Sequence, residues 1–398
     1  MLTRTQPAAP PSDALEASAA ATPQGERFIY IACPWSPAGG GMYKVAEYLI
    51  QAQAPVTAAD GARLRSLDTR GPGSAWASSL VLLGALWKLA RARLDGRLAG
   101  VHVNMAERLS LFRKGAVVVA CRALGVPVVI HLHGQMQAFY RRLPAPAQAL
   151  VCWVFSLASA VIVIGAAQRR FVMDEVRVPA HRIEIAINGV PGPERLRPRR
   201  DAFPLRVLFV GRLCASKGVS DLLKALAQGG LDPSRVEVTL AGGGDIAGYE
   251  AQARSLGLAD LVRFAGWCER AQVDELLAQA DVLVLPSHDE VLPLVVLEAL
   301  AHGVAVLCTP VGELPSVLCE GTHACFVPVG DVEALAGALH RLLDDAGLRE
   351  TLARNGRALY ERQFALGPFF DRVAHIHQRH FGVAGRRRDA SAAQGDPR

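Results

Sequence analysis

The sequence predicts an α/β protein made of two doubly wound, Rossmann-like parallel-sheet domains that face a central cleft. Three observations carry this. Short β-branched runs alternate with helical stretches at 28–33, 101–105, 126–133, 160–164 and 183–187. Gly189-Val-Pro-Gly-Pro and an Arg/Pro-rich stretch to Pro204 then break the pattern. The alternation resumes at 206–210, 236–240, 262–264, 282–285, 304–307 and 325–327. Repeated strand–helix units imply parallel sheets covered on both faces. With 398 residues, 51% of them hydrophobic, the chain has material for two domains of ordinary size.

The expected organisation is a disordered leader at 1–26, a first domain at 27–190, a linker at 191–204 and a second domain at 205–365. A helix at 366–383 would return to the first domain, and 384–398 reads as a loose basic tail. The leader is rich in Ala, Pro, Ser and Thr and has no basic-then-apolar signal pattern. Residues 149–167 are uncharged over a length that would cross a bilayer. They divide into a helix to about Leu157 and a β-branched run, Val161-Ile-Val-Ile164, so helix followed by buried strand is the expected structure.

Residues 1–200 carry 24 Lys/Arg against 12 Asp/Glu, whereas the remainder carries 19 against 25. A basic front half suits an anionic membrane surface, a diphosphate-bearing lipid or nucleic acid, and also fits a merely solvated basic face. No RNA- or DNA-binding motif accompanies the charge, so nucleic acid is not expected. A helical stretch at 79–98 mixes Leu and Trp87 with Lys88, Arg91, Arg93 and Arg97, as surface-binding helices do. It also reads as an ordinary domain helix with a basic face. The eight cysteines (33, 121, 152, 214, 268, 308, 319 and 325) form no C-x-x-C pair and read as reduced thiols of a cytoplasmic protein.

Glycines mark several strand ends. Pro37-Ala-Gly39-Gly40-Gly41 follows the first strand and opens a helix, where backbone N–H groups can approach an anion or sugar. As a dinucleotide fingerprint it fails, because Lys44 stands where the third glycine belongs. Gly211-Arg212-Leu-Cys-Ala-Ser-Lys217-Gly218 offers a guanidinium fork and a point charge suited to a diphosphate, or two solvated cations beside a turn. Gly242-Gly-Gly244-Asp245 and Gly266-Trp267 permit close backbone approach or simple turns. His131-Leu-His133-Gly134 closes a strand with both histidines on one side. No third metal ligand follows at a recognisable spacing, and His133 is the better placed to reach the cleft.

The stretch Ser287-His-Asp-Glu290-Val-Leu-Pro-Leu-Val-Val-Leu-Glu298 crosses a loop-to-helix junction. Neighbours of Glu298 at helical offsets are Leu294, Val295, Ala301 and His302. A carboxylate on such a stripe costs roughly 1–3 kcal/mol unless it is paired. A backbone group, an arginine or His302 would serve as partner.

Taken in order, these motifs resemble the large family of retaining GT-B glycosyltransferases that use nucleotide sugars, the E-x7-E, group 1/family 4 type. The resemblance runs from about residue 28 to 365. It is most specific in 211–218 together with 287–315, including Glu298-Ala-Leu-Ala-His-Gly-Val-Ala and Thr309-Pro-Val-Gly312. It implies that Arg212 and Lys217 hold the donor diphosphate and that Glu290 contacts hydroxyls of the donor sugar. The backbone of Val291, Leu292, Pro293 and Leu294 would support sugar and phosphate, with Gly244 also on the donor side. Glu298 would bind the ribose, Gly41 would lie near the transferred group, and His133 would contact the sugar near the reaction centre. Eight residues of helix would span ~12 Å, so the two glutamates could serve opposite ends of one ligand. The family usually has glycine and an aromatic after the first glutamate, where this chain has Val291 and Leu292.

The resemblance implies transfer of a hexose from a UDP- or GDP-sugar, with retention of anomeric configuration, to a glycan or polyprenyl-diphosphate-linked acceptor. Bacterial surface polysaccharide synthesis, at the inner face of the cytoplasmic membrane, is the expected setting. Leaving-group charge would be met by Arg212, Lys217 and the helix end at 293–294. No D-x-D motif is present, and no metal or other cofactor is expected. Two rivals share the architecture: a nucleotide-sugar epimerase and a non-catalytic glycosyltransferase-like partner.

Overall fold

The computed structural model describes residues 26–35, 40–54, 61–71, 75–196, 203–228 and 230–386. The leader at 1–25, the glycine-loop residues 36–39, linker residues 197–202 and the tail from 387 lie outside the described residues.

The first sheet contains β1 (Phe28–Cys33), β2 (Arg63–Asp68), β3 (Leu98–Met105), β4 (Val128–Leu132), β5 (Ala160–Val163) and β6 (Ile183–Ile185). Its helices are α1 (Gly40–Gln51), α2 (Ala75–Leu94), α3 (Leu109–Ala123), α4 (Met136–Arg141), α5 (Ala145–Ser156) and α6 (Ala166–Asp174). The strands are parallel, in the order β2-β1-β3-β4-β5-β6.

The second sheet contains β7 (Leu205–Val210), β8 (Val236–Ala241), β9 (Val262–Gly266), β10 (Val282–Leu285), β11 (Ala305–Cys308) and β12 (Cys325–Phe326). Between these strands run α7 (Val219–Gln228), α8 (Ile246–Ser255), α9 (Arg270–Gln279), α10 (Leu294–Ala301) and the short α11 (Leu314–Val317). Its order is β12-β11-β10-β7-β8-β9, again parallel. After it come α12 (Val332–Asp344), α13 (Ala346–Leu359), a π turn at Tyr360–Phe364 and α14 (Leu366–Phe381).

Strand order positions the site. In open parallel sheets, ligands bind outside the carboxyl ends of strands where the order reverses. The reversal falls between β1 and β3 in the first sheet and between β7 and β10 in the second. α14 leaves the second domain and packs on the first sheet. Phe369, Phe370, Val373, Ile376 and Phe381 are buried in one cluster with Ile29, Ile31, Val129 and Ile162. A fully buried aromatic or aliphatic side chain is worth about 1.5–3 kcal/mol, so this seam holds α14 firmly on the first domain.

Several element expectations need correction. β2 was not anticipated. It is an edge strand whose Arg63 and Arg65 alternate with inward Leu64, so it lacks the β-branched run that marks the central strands. The basic helix expected at 79–98 is α2 at Ala75–Leu94, and a turn through Asp95 and Gly96, φ 71°, hands the chain to β3. The expected eight helical residues from Glu290 to Glu298 are also shorter, because α10 begins at Leu294 and 290–293 is loop. The uncharged segment at 149–167 divides between α5, β5 and the start of α6. No helix among the described residues is long and apolar enough to cross a membrane. All eight cysteines are free thiols.

Candidate active site

Both switch points open onto the same cleft, and side chains from the two domains meet there. On the second-domain side, the chain leaves β10 through Pro286 and Ser287 into a loop ending at the first turn of α10. Lys217, at the end of the β7 loop, forms an ion pair with Glu290 Oε1, and Ser287 Oγ donates to the same oxygen at 3.2 Å. The side-chain amide of Gln135, from the first domain, donates to the Glu290 carbonyl. Glu290 is therefore gripped from three sides.

The loop keeps its shape through its neighbours. Glu313 N donates to the Val291 carbonyl at 2.7 Å, and Thr309 Oγ1 donates to the Ser287 carbonyl at 2.5 Å. Gly312, φ 60°, lies so close to the carbonyls of Glu290 and Val291 that a Cβ there would overlap both. Leu292 and Pro293 are buried, whereas Val291 and Leu294 are half-buried at the cleft wall. Gly41, in the first turn of α1, faces Leu294 across the cleft.

Glu298 is only 8% exposed, and its partner comes from the opposite domain: Lys44 Nζ on α1 lies 3.9 Å from Oε1. Burial pushes the Glu298 carboxyl above its ordinary value, with Lys44 partly offsetting the rise. His302, a partner the sequence offered, turns instead to Asp274 at 3.7 Å. Glu313, 1% exposed, also crosses between domains. Its carboxylate accepts from the backbone N–H groups of Ala167 at 3.2 Å and Gln168 at 2.8 Å, in the first turn of α6.

Arg212 is exposed beyond β7 and, among the described residues, shares no ion pair with Glu290 or Glu298. Gly244 is exposed at the end of β8, where its backbone bridges to Leu213. With φ at 134° and the Leu213 carbonyl against it, this position admits only glycine, which accounts for the residue without a ligand.

His133 emerges at the carboxyl end of β4, and its Nε2 lies 2.6 Å from Asn104 Oδ1. Burial, then His102, then Lys114 push its pKa well below the ordinary histidine value, so the ring is neutral at pH 7. The His131 ring packs against it, with centroids 4.0 Å apart. It belongs to a buried file in which His377 Nε2 lies 2.8 Å from His102 Nδ1, and His102 Nε2 lies 3.1 Å from His131 Nδ1. No group of three or more His, Cys, Asp or Glu among the described residues could hold a metal.

Lys44, Gln135 and Glu313 were missed as site residues. Lys44 sits three residues after Gly41, which is a usable signal. Gln135 and Glu313 act through contacts between domains, and nothing local marks those.

Residues 197–359 match the family model described as glycosyl transferases group 1, and residues 45–191 match glycosyltransferase family 4. Among curated relatives, the D-inositol 3-phosphate glycosyltransferase of Thermobifida fusca strain YX is 35% identical over 179 residues, covering 42% of this chain and 41% of that protein. The first relatives are thus matched over about two fifths of their own length. Sucrose-phosphate synthase of Thermosynechococcus elongatus superposes with a TM-score of 0.71 at 20% identity, covering 90% of this chain and 100% of that one. The Anabaena protein HepE in complex with UDP-glucose gives 0.68 at 19% identity over 89% of this chain and 99% of that one. The fold is GT-B.

Proposed function

For a chain that belongs, half by half, to the family 4 and group 1 glycosyltransferases, we propose a retaining transfer of a hexose from a UDP- or GDP-linked donor to a glycan or lipid-linked oligosaccharide. The observation that carries this reading is the placement of Lys217, Glu290 and Glu298 around one crevice at the β7/β10 switch point. A nucleotide sugar laid along it would place the ribose at Glu298, the diphosphate at Lys217 and Arg212, and the hexose between Glu290 and His133. The UDP-glucose held by the HepE structure supports the choice of donor class.

Lys217 is ion-paired with Glu290. An arriving diphosphate offers Lys217 a stronger anion, which frees the Glu290 carboxylate to accept hydrogen bonds from sugar hydroxyls. As the sugar–phosphate bond breaks, negative charge grows on the departing phosphate. Lys217, Arg212 and the N-terminus of α10 at Pro293–Leu294 lie where that charge develops. A neutral His133 can accept from a sugar hydroxyl without repelling the oxocarbenium-like centre. No metal is assigned a role.

The acceptor is proposed to reside at an anionic membrane surface. On α2, Trp76 is 85% and Trp87 61% exposed, with Leu80, Leu83 and Leu94 also exposed beside Lys88, Arg91 and Arg93. Apolar rings flanked by cations suit the boundary between headgroup and acyl chain. Residence at the inner face of the cytoplasmic membrane and a part in surface polysaccharide assembly follow from the same reading.

Thermal-shift titration with UDP, GDP and their hexoses, followed by nucleotide-release assays with and without lipid-linked acceptors, tests the proposal. Acceptor-dependent release is expected. Conversion of the donor without any acceptor would favour an epimerase, and binding without turnover a non-catalytic partner.

A further inference from the structure

The switch point of the first sheet, between the carboxyl ends of β1 and β3, holds a group of cations that the proposed donor site does not use. Lys114 on α3 is 0% exposed. Its Nζ donates to Met42 Sδ at 3.2 Å, a weak thioether acceptor, and among the described residues no carboxylate forms an ion pair with it. Arg113 beside it has a buried Nε with no hydrogen-bond partner among the described residues. The charged neighbour that acts on Arg113 is a further cation, Arg70 at the end of β2. Of the acids near this end of the sheet, Asp68 accepts from backbone N–H groups of Trp35, Arg70 and Gly71 at 2.9–3.3 Å, and Glu107, just beyond β3, lies against Gly134. Burial has pushed the Lys114 ammonium down to about 8, and its field reaches His133.

An ammonium removed from water without a counter-charge is unfavourable. A fold that keeps one at the mouth of a ligand crevice, beside other cations, is built for an anion supplied from outside. Met42, half-buried in the first turn of α1, covers Lys114 with an unbranched, flexible side chain that can swing aside. We propose that Lys114, with Arg113 and Arg70 at its rim, receives an oxyanion, phosphate or carboxylate, carried by the acceptor substrate. This rests on the glycosyltransfer reading and adds to it a chemical requirement on the acceptor.

The test begins with the full chain saturated with UDP, so that the donor site is filled, and titrated with inorganic phosphate. Saturable thermal stabilisation is expected in the parent protein, lost in Lys114→Met and weakened in Arg70→Gln, whose exposed side chain leaves folding undisturbed. No stabilisation of the parent protein, or equal stabilisation of Lys114→Met, overturns the site. This measurement needs no turnover, so it stands even if the proposed reaction fails. With an anionic acceptor in hand, Lys114→Met should raise the acceptor KM by about tenfold or more, the loss of one charged hydrogen bond, while the donor KM holds. A rise in the donor KM instead would place the oxyanion on the donor and overturn the assignment to the acceptor.

Discussion

Lys44 of the first domain lies 3.9 Å from Glu298 of the second, so the buried acid on α10 is answered from across the cleft and not from its own helix. The pair closes one end of the crevice. At the other, Gln135 of the first domain donates to the Glu290 carbonyl. Both glutamates of the motif are thus held at a domain boundary, where a ligand must compete for them.

Glu298→Gln should separate stability from function. Burial raises the Glu298 pKa, so the folded chain binds the proton more tightly than the unfolded chain does. Stability is then greatest below the unfolded carboxylate value and falls as pH rises through the folded one. The amide carries no charge, so at neutral pH the variant should melt higher, by roughly 2–4 °C for each kcal/mol recovered. Its affinity for a nucleoside diphosphate should fall by about tenfold or more, the worth of a charged hydrogen bond. Calorimetry and nucleotide titration check the two halves.

Lys217→Met and Glu290→Gln should differ in size. In the proposed reaction Lys217 would meet charge that develops on the leaving phosphate, and removing such a group typically costs about 10²–10³-fold in kcat. Glu290 would hold sugar hydroxyls in the same reaction, and its amide should cost about 10–100-fold. Steady-state kinetics of the purified variants decide it. Equal and small losses would remove both from the chemistry.

Acid should unfold the first domain early. His102, His131, His133 and His377 are all held below the ordinary histidine value, His102 at about 3, chiefly by burial. The unfolded chain therefore binds more protons, and stability present above an unfolded value of about 6.5 is lost as pH falls, at roughly 1.4 kcal/mol per ring per pH unit. Urea titrations between pH 7 and 5 should show this, and His377→Phe should shift the dependence.

Trp76→Ser together with Trp87→Ser should reduce recovery on anionic liposomes at low salt. Equal sedimentation of the parent protein with neutral and anionic liposomes would count against the membrane-facing role of α2.

The two-domain fold was legible because central parallel strands are buried on both faces and read as β-branched runs. β2, an edge strand with arginines at alternate positions, lacked that mark. Among the candidate site residues, Lys217, Glu290 and Glu298 lie on the local motifs that carry the family resemblance. Lys44, Gln135, Glu313 and Lys114 carry their meaning only through neighbours far along the chain: Lys44 and Glu298 are brought together by domain packing alone. Gly244 taught the opposite lesson, since its backbone bridge to Leu213 requires glycine whether or not a ligand binds.

The most direct measurement is a crystal structure of the protein with a nucleoside diphosphate bound. The ribose hydroxyls are expected on Glu298, the terminal phosphate on Lys217 and Arg212, and the Lys217–Glu290 ion pair opened. A nucleotide bound elsewhere, or one bound in the cleft with Lys217 still paired to Glu290 and Glu298 untouched, would contradict this placement.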